Sequence, residues 1–338
     1  MMRLSSLIQL VLYLLLISSP LSAKEVPLCE GKNLVEHIQQ TDRDKFQYLK
    51  SLITDSKNSD GIFWKISDDQ GKTSYLFGTV HSTDPRVKQL PEQTKQALST
   101  ARNIAVEIAN LDEKAAAQVV GQRPELFFSL QDQNKRLDRV LSREDYAALL
   151  EASKAAGIPS NMLPALKPWF ASISFFAIPG CEKLRMDQKV SVLDAQITQL
   201  ARSNGIPVIG LETIEEQYRA FAALPFDHQL TMLKNGIYSR ALLADMYATT
   251  VSLYLSRQLE FIMPLSLLYS QDLEKSRKAS ASFKEILLDK RNINMHERSL
   301  SLVKQGGAFI AVGALHLVGE KGLVELFRKS GYKVEKIY

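Results

Sequence analysis

The sequence predicts an α/β fold in which a mixed, mainly parallel central sheet is flanked by helices and carries a large helical insertion. Three observations predict it. Two short apolar stretches, 62–66 and 74–77, flank a glycine-containing turn and indicate a β-hairpin. A helix and a further strand follow, and strand, helix, strand in this order implies a parallel crossover. The chain closes on another strand, helix and strand after residue 307.

The remaining elements follow from hydrophobic periodicity and from helix-capping residues. Ser142 with Asp145 is a helix-capping pattern, and Asn204 with Gly205 is a typical helix end. The two long stretches between the strands are expected to be mostly helical. In chain order we expect a polar helix at 34–53, the hairpin strands, a helix at 91–101, a strand at 104–108, helices over 111–203, a strand at 206–212, helices over 224–305, a strand at 308–312, a helix at 319–330 and a strand at 332–337.

The N-terminus has the pattern of a secretory signal. Arg3 precedes an apolar run from Leu7 to Ile17, and small residues lead to a cleavage point after Ala23. An uncleaved membrane anchor is the alternative, but the run is shorter than the roughly 20 residues that cross a bilayer. We therefore expect a signal peptide at 1–23, a helical tether at 24–60 and the α/β domain at 61–338. The mature protein is expected to have no transmembrane span and to be periplasmic or secreted.

Export changes the interpretation of the two cysteines. Cys29 and Cys181 can form a disulfide in an oxidising compartment, where the bridge would stabilise the fold by closing a long loop. Two unrelated thiols are the alternative. Neither cysteine has the neighbours of a nucleophile or of a zinc module.

Composition excludes several classes of function. The chain has 338 residues, 45% hydrophobic and 23% charged, which is ordinary for a globular protein. Its 42 Lys and Arg residues are interspersed with 37 Asp and Glu residues, so the net charge of +5 indicates no nucleic-acid partner. The chain has no P-loop, no G-x-S-x-G elbow and no strand-adjacent G-x-G-x-x-G motif.

Polar side chains follow four of the predicted strands. His81 and His316 each end a G-x-x-H sequence, and Glu107 and Glu212 end the other two strands. The carboxyl ends of parallel strands meet at one edge of a sheet, where functional crevices lie. Two His and two Glu side chains there have the composition of a divalent-metal site.

Each of these residues also has a structural interpretation. Either histidine alone is more often a hydrogen-bonded structural residue, although the repeated motif favours function. Glu107 could face water at a strand edge, and Glu212 could simply begin a helix. Arg291 could be a surface arginine of a helix, or it could orient a carboxylate.

Together these motifs resemble the TraB/GumN family, which includes the Tiki metalloproteases and the pheromone-shutdown proteins. The resemblance spans about residues 61–337. The matching segments are Tyr75–His81, Ala105–Glu107, Gly210–Thr213 with Gln217, Arg291–Asn292, Val312–Leu317 with Gly319 and Gly322–Leu323, and Gly331–Val334.

The resemblance implies a fold similar to the erythromycin-esterase and ChaN-like proteins. It also implies a divalent-metal site around the two G-x-x-H motifs, and in the Tiki branch a peptidase that depends on manganese or cobalt. Carried over to this chain, the motif residues are Gly78 with His81 and Gly313 with His316, the acids are Glu107 and Glu212, and the polar pair is Arg291 with Asn292.

Our hypothesis is an exported, metal-dependent hydrolase that acts on peptide bonds. His81 and His316, with one or both of Glu107 and Glu212, would bind manganese, cobalt or zinc. A glutamate that is not a ligand would be the general base, and Arg291 would bind the developing oxyanion or a terminal carboxylate of a peptide or protein substrate. Two alternatives stay open. One is a non-catalytic protein of the cell envelope that sequesters a metal, haem or a peptide, and the other is a cell-envelope scaffold in which the motifs only shape the sheet.

Overall fold

A computed structural model describes residues 28–110, 113–156 and 158–338, so the predicted signal peptide lies outside the described residues. Its sheet has six strands in the order β4-β3-β5-β2-β1-β6. The strands are β1 (Phe63–Ser67), β2 (Thr73–Thr79), β3 (Asn103–Val106), β4 (Val208–Gly210), β5 (Ala308–Gly313) and β6 (Lys333–Lys336).

The pairing of the strands confirms the predicted mixed, mainly parallel sheet. β1 is antiparallel to β2 and to β6, so the hairpin and the last strand form one side of the sheet. β2 with β5, β5 with β3, and β3 with β4 are parallel pairs. The carboxyl ends of four neighbouring strands therefore lie along one edge.

Helices make up most of the rest of the described chain, as predicted. Those before β4 are α1 (Leu34–Thr41), α2 (Arg43–Ser51), α3 (Pro85–Lys88), α4 (Glu92–Ser99), α5 (Glu113–Gln122), α6 (Pro124–Phe127), α7 (Leu137–Val140), α8 (Arg143–Ala155), α9 (Pro168–Phe176), α10 (Gly180–Asp187) and α11 (Leu193–Ser203). Those after β4 are α12 (Ile214–Ala222), α13 (Phe226–Tyr238), α14 (Leu243–Ser256), α15 (Ile262–Leu268), α16 (Leu273–Phe283), α17 (Lys290–Gln305) and α18 (Leu323–Lys329). A π-helical segment, Lys284–Asp289, joins α16 to α17.

Some predicted boundaries were wrong. The expected helix at 34–53 is two helices, because Asp42 leaves the helical conformation and its side chain caps α2 at Lys45. The last helix begins at Leu323 rather than 319, because Gly319 has a φ of +91° that interrupts the helix. The expected strand at 206–212 is reduced to β4, which pairs with β3 over three residues.

The core covers both faces of the sheet. Along β5, Phe309 and Ala311 pack into one apolar cluster and Ile310 and Val312 into the other, as the alternation of side chains in a strand requires. A further cluster around Trp169 holds the helical insertion together.

The structure joins Cys29 and Cys181 in a disulfide, with Cα atoms 5.4 Å apart and 152 residues apart in sequence. The bridge ties the segment before α1 to the start of α10. Within the described ranges, no helix is long and apolar enough to cross a membrane.

Candidate active site

Two of the four polar strand ends, Glu107 and Glu212, meet at a buried arginine. Arg291, in the first turn of α17, donates from Nη2 to Glu107 Oε2 at 2.7 Å and from Nε to Glu212 Oε2 at 2.9 Å. Its Nη2 also donates to Glu212 Oε1. The side chains of Arg291, Glu107 and Glu212 are 11%, 12% and 5% exposed. The two glutamates are therefore brought together, and the guanidinium lies between them.

The π-helical segment before α17 helps to orient the side chain of Arg291. Arg291 Nη1 donates to the carbonyl of Leu287, within that segment, at 2.9 Å. Four of the five guanidinium N–H groups thus have partners inside the protein. Only one N–H group of Arg291 is left to bind a substrate oxyanion, which is the role that the sequence suggested for this arginine.

The Glu107 carboxylate has a second set of contacts at the end of β5. Gly313 donates its backbone N–H to Glu107 Oε1 at 2.7 Å, and His316 Nε2 lies 3.7 Å from the same oxygen. Burial opposes ionisation of Glu107, but the neighbouring His316 and Arg291 outweigh it and lower the pKa of Glu107 to about 2. Because His316 is itself neutral near pH 7, the permanent charge of Arg291 is the main charge that stabilises the ionised form of Glu107 at that pH.

His316 is a buried, neutral imidazole. Burial lowers its pKa to about 4, although the Glu107 carboxylate acts in the opposite direction. Its Nδ1 lies 2.6 Å from Asn292 Oδ1, and an amide oxygen can only accept, so Nδ1 carries the proton. Asn292 is held in turn by its bond to the carbonyl of Lys321. The lone pair of Nε2 therefore faces Glu107.

His81 lies on the loop after β2 and is 65% exposed. Its Nδ1 is 2.8 Å from Asp194 Oδ2, and Thr79 donates to the other carboxylate oxygen of Asp194. The charge of Asp194 raises the pKa of His81 to about 9. Here, too, the Nδ1 atom is occupied and Nε2 is left for another partner.

A buried carboxylate fixes the loop that carries His81. Glu182, which is 1% exposed, accepts from the N–H of Thr83 at 2.6 Å and from Thr83 Oγ1 at 2.7 Å. Arg185 donates to the same hydroxyl, and Ser82 bonds to the hydroxyl of Tyr247. Glu182 follows the bridged Cys181 directly, so the disulfide and the His81 loop are linked through one turn of α10.

The glycines of the two G-x-x-H motifs have different uses. A Cβ on Gly78 would lie 2.8 Å from Leu317 Cδ1 and 3.0 Å from the Cα of Ala314, so glycine lets β2 pack against the turn after β5. A Cβ on Gly313 would lie 3.2 Å from Glu107 Oε1. Glycine at this position lets the backbone N–H approach the carboxylate closely.

Glu212 differs from Glu107 in its electrostatics. Burial raises its pKa, while the two-point pair with Arg291 favours the ionised form. Gln217 Nε2 donates to Glu212 Oε1 at 3.3 Å. Glu212 therefore binds a proton more readily than Glu107 does.

The structure thus connects Glu107, Glu212, Arg291 and His316 in one group, whereas the side chain of His81 bonds to Asp194. Within 28–110, 113–156 and 158–338, no three His, Cys, Asp or Glu side chains are grouped so as to hold a metal ion. The donor chemistry nevertheless fits one. His316 Nε2 and Glu107 Oε1 are two acceptors that face each other at 3.7 Å, and both histidines are held through Nδ1, as metal-ligating histidines are.

Asp194 and Glu182 were missed in the sequence. Asp194 lies 113 residues from His81, and in the sequence it is simply an acid in the first turn of a helix. Glu182 lies 99 residues from Thr83 and occupies the same kind of position. No local pattern distinguishes either acid from one that stabilises a helix N-terminus.

The sequence matches a known protein family over most of its length. Residues 62–336 match the TraB/PrgY/gumN family. The chain belongs to this family. The matched range includes all six strands and every residue of the site, so the resemblance inferred from the short motifs is confirmed.

Relatives of this family member are distant. Uncharacterized protein YbaP of Shigella flexneri is 24% identical over 255 residues, which are 75% of this chain and 88% of YbaP. Metalloprotease TIKI2 of Xenopus tropicalis is 24% identical over 308 residues, 78% of this chain and 57% of its own length. Metalloprotease TIKI1 of Homo sapiens is 23% identical, with 81% and 61% covered. The chain therefore spans less than two thirds of these two metalloproteases.

Proposed function

We propose that this chain is an exported, metal-dependent hydrolase that cleaves peptide bonds. The observation that carries the proposal is the pair of facing acceptors, His316 Nε2 and Glu107 Oε1, at the edge where four strands end. Two acceptors in contact with no proton between them are stabilised by a cation. The metalloprotease names of the TIKI relatives support the same reaction class.

In this proposal His316, Glu107 and His81 hold the ion. Asp194 holds His81 through Nδ1, so Nε2 is the atom that would bind the ion, after release of the proton that His81 carries near pH 7. A divalent ion such as manganese, cobalt or zinc supplies Lewis acidity and an activated water when bound.

The remaining polar groups have roles that follow from their contacts. Glu212, whose pKa burial raises, is the proton acceptor and later the proton donor. Arg291 keeps both glutamates in place and balances their charge. Asn292 and Asp194 orient the two imidazole rings through Nδ1.

Export is part of the proposal and rests on two observations. The N-terminal sequence has the basic, apolar and small-residue order of a secretory signal. The Cys29–Cys181 disulfide is of a kind that persists in oxidising compartments. Sequencing the N-terminus of the protein recovered from the periplasm or the medium tests this, and a start at Lys24 is expected.

Two matched substitutions test the roles of the glutamates. Glu107→Gln should lose both bound metal and peptide cleavage, whereas Glu212→Gln should keep the metal and lose cleavage by about 10²–10⁴-fold. Metal content is measured on purified protein, and cleavage on a mixture of peptides by mass spectrometry. If neither variant loses metal, the ligand assignment is wrong.

Sequestration remains the second candidate, because Arg291 already compensates both carboxylates in this structure. A wild-type protein that retains a metal but cleaves no peptide with manganese, cobalt or zinc would favour it.

A further inference from the structure

A cleft of about 270 Å³ opens beside the candidate site. One wall is a face of α11, and the other is the segment 106–110 that follows β3. His81, Glu107 and Asp194 lie along it, and Arg202 and Asn110 line it as well. The cleft therefore connects the proposed catalytic groups to a cationic side chain that the proposed mechanism does not use.

The geometry of α11 limits how far Arg202 lies from Asp194, the partner of His81. Asp194, Thr198 and Arg202 are four residues apart and share one face of the helix. Eight residues at about 1.5 Å each separate the Cα atoms of Asp194 and Arg202 by about 12 Å. Because helix side chains lean toward the N-terminus, the guanidinium lies nearer to Asp194 than its own Cα does.

Among the described residues, Arg202 is held in place but has no carboxylate as a counter-ion. Its Nη2 donates to the carbonyl of Ala109 at 2.8 Å and to Asn110 Oδ1 at 3.1 Å. No carboxylate in the described parts of the chain pairs with it, and its Nε–H and Nη1–H groups make no hydrogen bond there. Arg219 and Arg298, which are exposed as Arg202 is, each pair with a glutamate. Arg202 is thus a positioned cation with unused donors at a cleft wall.

We infer that Arg202 binds a carboxylate of the peptide substrate. The inference rests on the proposed function, since it assigns the substrate class of that site. An extended peptide covers about 3.3–3.6 Å per residue, so a span of up to about 12 Å corresponds to a carboxylate within about three residues of the cleaved bond. The carboxylate is either the free C-terminus or an Asp or Glu side chain, and a guanidinium binds both in the same way.

Four peptides of otherwise identical sequence separate these sources. After the cleaved bond has been located by mass spectrometry, one peptide ends in a free carboxylate three residues beyond it and a second is amidated there. A third carries Glu at that position with an amidated terminus, and a fourth carries Gln. For the wild type we expect about tenfold higher kcat/KM for the carboxylate peptides, with the difference in KM.

Substitutions then assign the preference to one side chain. Arg202→Ala should remove it while kcat for the amidated peptide changes less than about twofold, and Arg202→Glu should favour a peptide with Lys at the same position. Arg277→Ala is the matched control, since Arg277 is exposed and lines a separate cleft. It should leave the preference unchanged.

Each outcome decides the inference. A preference for the free terminus alone assigns the C-terminal carboxylate, and a preference shared with the Glu peptide assigns any carboxylate. Equal cleavage of acidic and amidated peptides overturns the inference and leaves the proposed function standing. If no peptide is cleaved, the proposed function fails, and calorimetry with the same peptides tests the inference about Arg202. Tighter binding of the carboxylate peptides, lost in Arg202→Ala, supports the site. Equal binding of carboxylate and amidated peptides overturns it.

Discussion

Replacement of Arg291 by Met should destabilise the protein more than any exposed arginine substitution. The change removes the shared partner of Glu107 and Glu212, whose side chains are only 12% and 5% exposed. Breaking a buried ion pair by removing one partner costs about 3–5 kcal/mol, because a buried charge is left uncompensated. The free energy of unfolding at pH 7, measured by urea denaturation, should fall by that amount with an unchanged m-value.

Arg298→Met is the matched control, on the same helix. Arg298 also pairs with a glutamate, Glu216, but the two side chains are 44% and 41% exposed. Exposed pairs contribute about 0–1 kcal/mol. Equal losses in the two variants would refute the argument from burial.

The pH dependence of the free energy of unfolding gives a second check on the role of Arg291. The pKa of Glu107 is about 2 in the folded protein and about 4.3 in an unfolded chain, which corresponds to about 3 kcal/mol. Since the folded pKa is the lower one, this stabilisation is present above about pH 4.3 and is lost as the pH falls toward 2. The difference in the free energy of unfolding between wild type and Arg291→Met should therefore become smaller in acid. A difference that stays constant from pH 7 to 2 would contradict the pairing of Arg291 with an ionised Glu107.

Three further predictions concern the His81 side of the site. In metal-free protein the NMR titration midpoint of His81 should lie near 9, and Asp194→Asn should return it toward 6.5; an unchanged midpoint would exclude the pair. Replacing Cys29 and Cys181 by Ser should lower the free energy of unfolding by about 5 kcal/mol in the chain-entropy model, and a loss below about 1 kcal/mol would show that the bridge does not form. Glu182→Ala should weaken metal binding, measured by calorimetry with manganese, and Glu182→Gln should restore most of it, because an amide can still bond the loop; equal weakening by both would contradict a positioning role.

The strands and their end residues could be predicted because each depends on local sequence. An apolar run followed by a polar side chain indicates a strand end, and parallel crossovers then bring such ends to one edge. His81, Glu107, Glu212 and His316 were found in this way. The exact start of the last helix was not, because it depends on the positive φ that Gly319 adopts in the folded chain.

The second set of contacts could not be predicted, because it depends on pairs that meet only in the fold. Asp194 reaches His81 across 113 residues, and Arg291 reaches Glu107 across 184. The sequence suggested that Arg291 could orient a carboxylate, but not that it would lie between the two glutamates. The position of Arg291 between the two glutamates depends on both the π-helical segment and the sheet edge.

Metal content of the purified protein tests the central proposal most directly. After exposure to manganese, cobalt or zinc and removal of free ion, the wild type should retain about one equivalent and His316→Ala should retain almost none. His296→Ala is the control, since His296 is also buried but bonds to Ser330 and packs on Phe327. We predict that His316→Ala loses the bound metal and that His296→Ala retains it. Equal metal content in wild type and His316→Ala would contradict the proposed site.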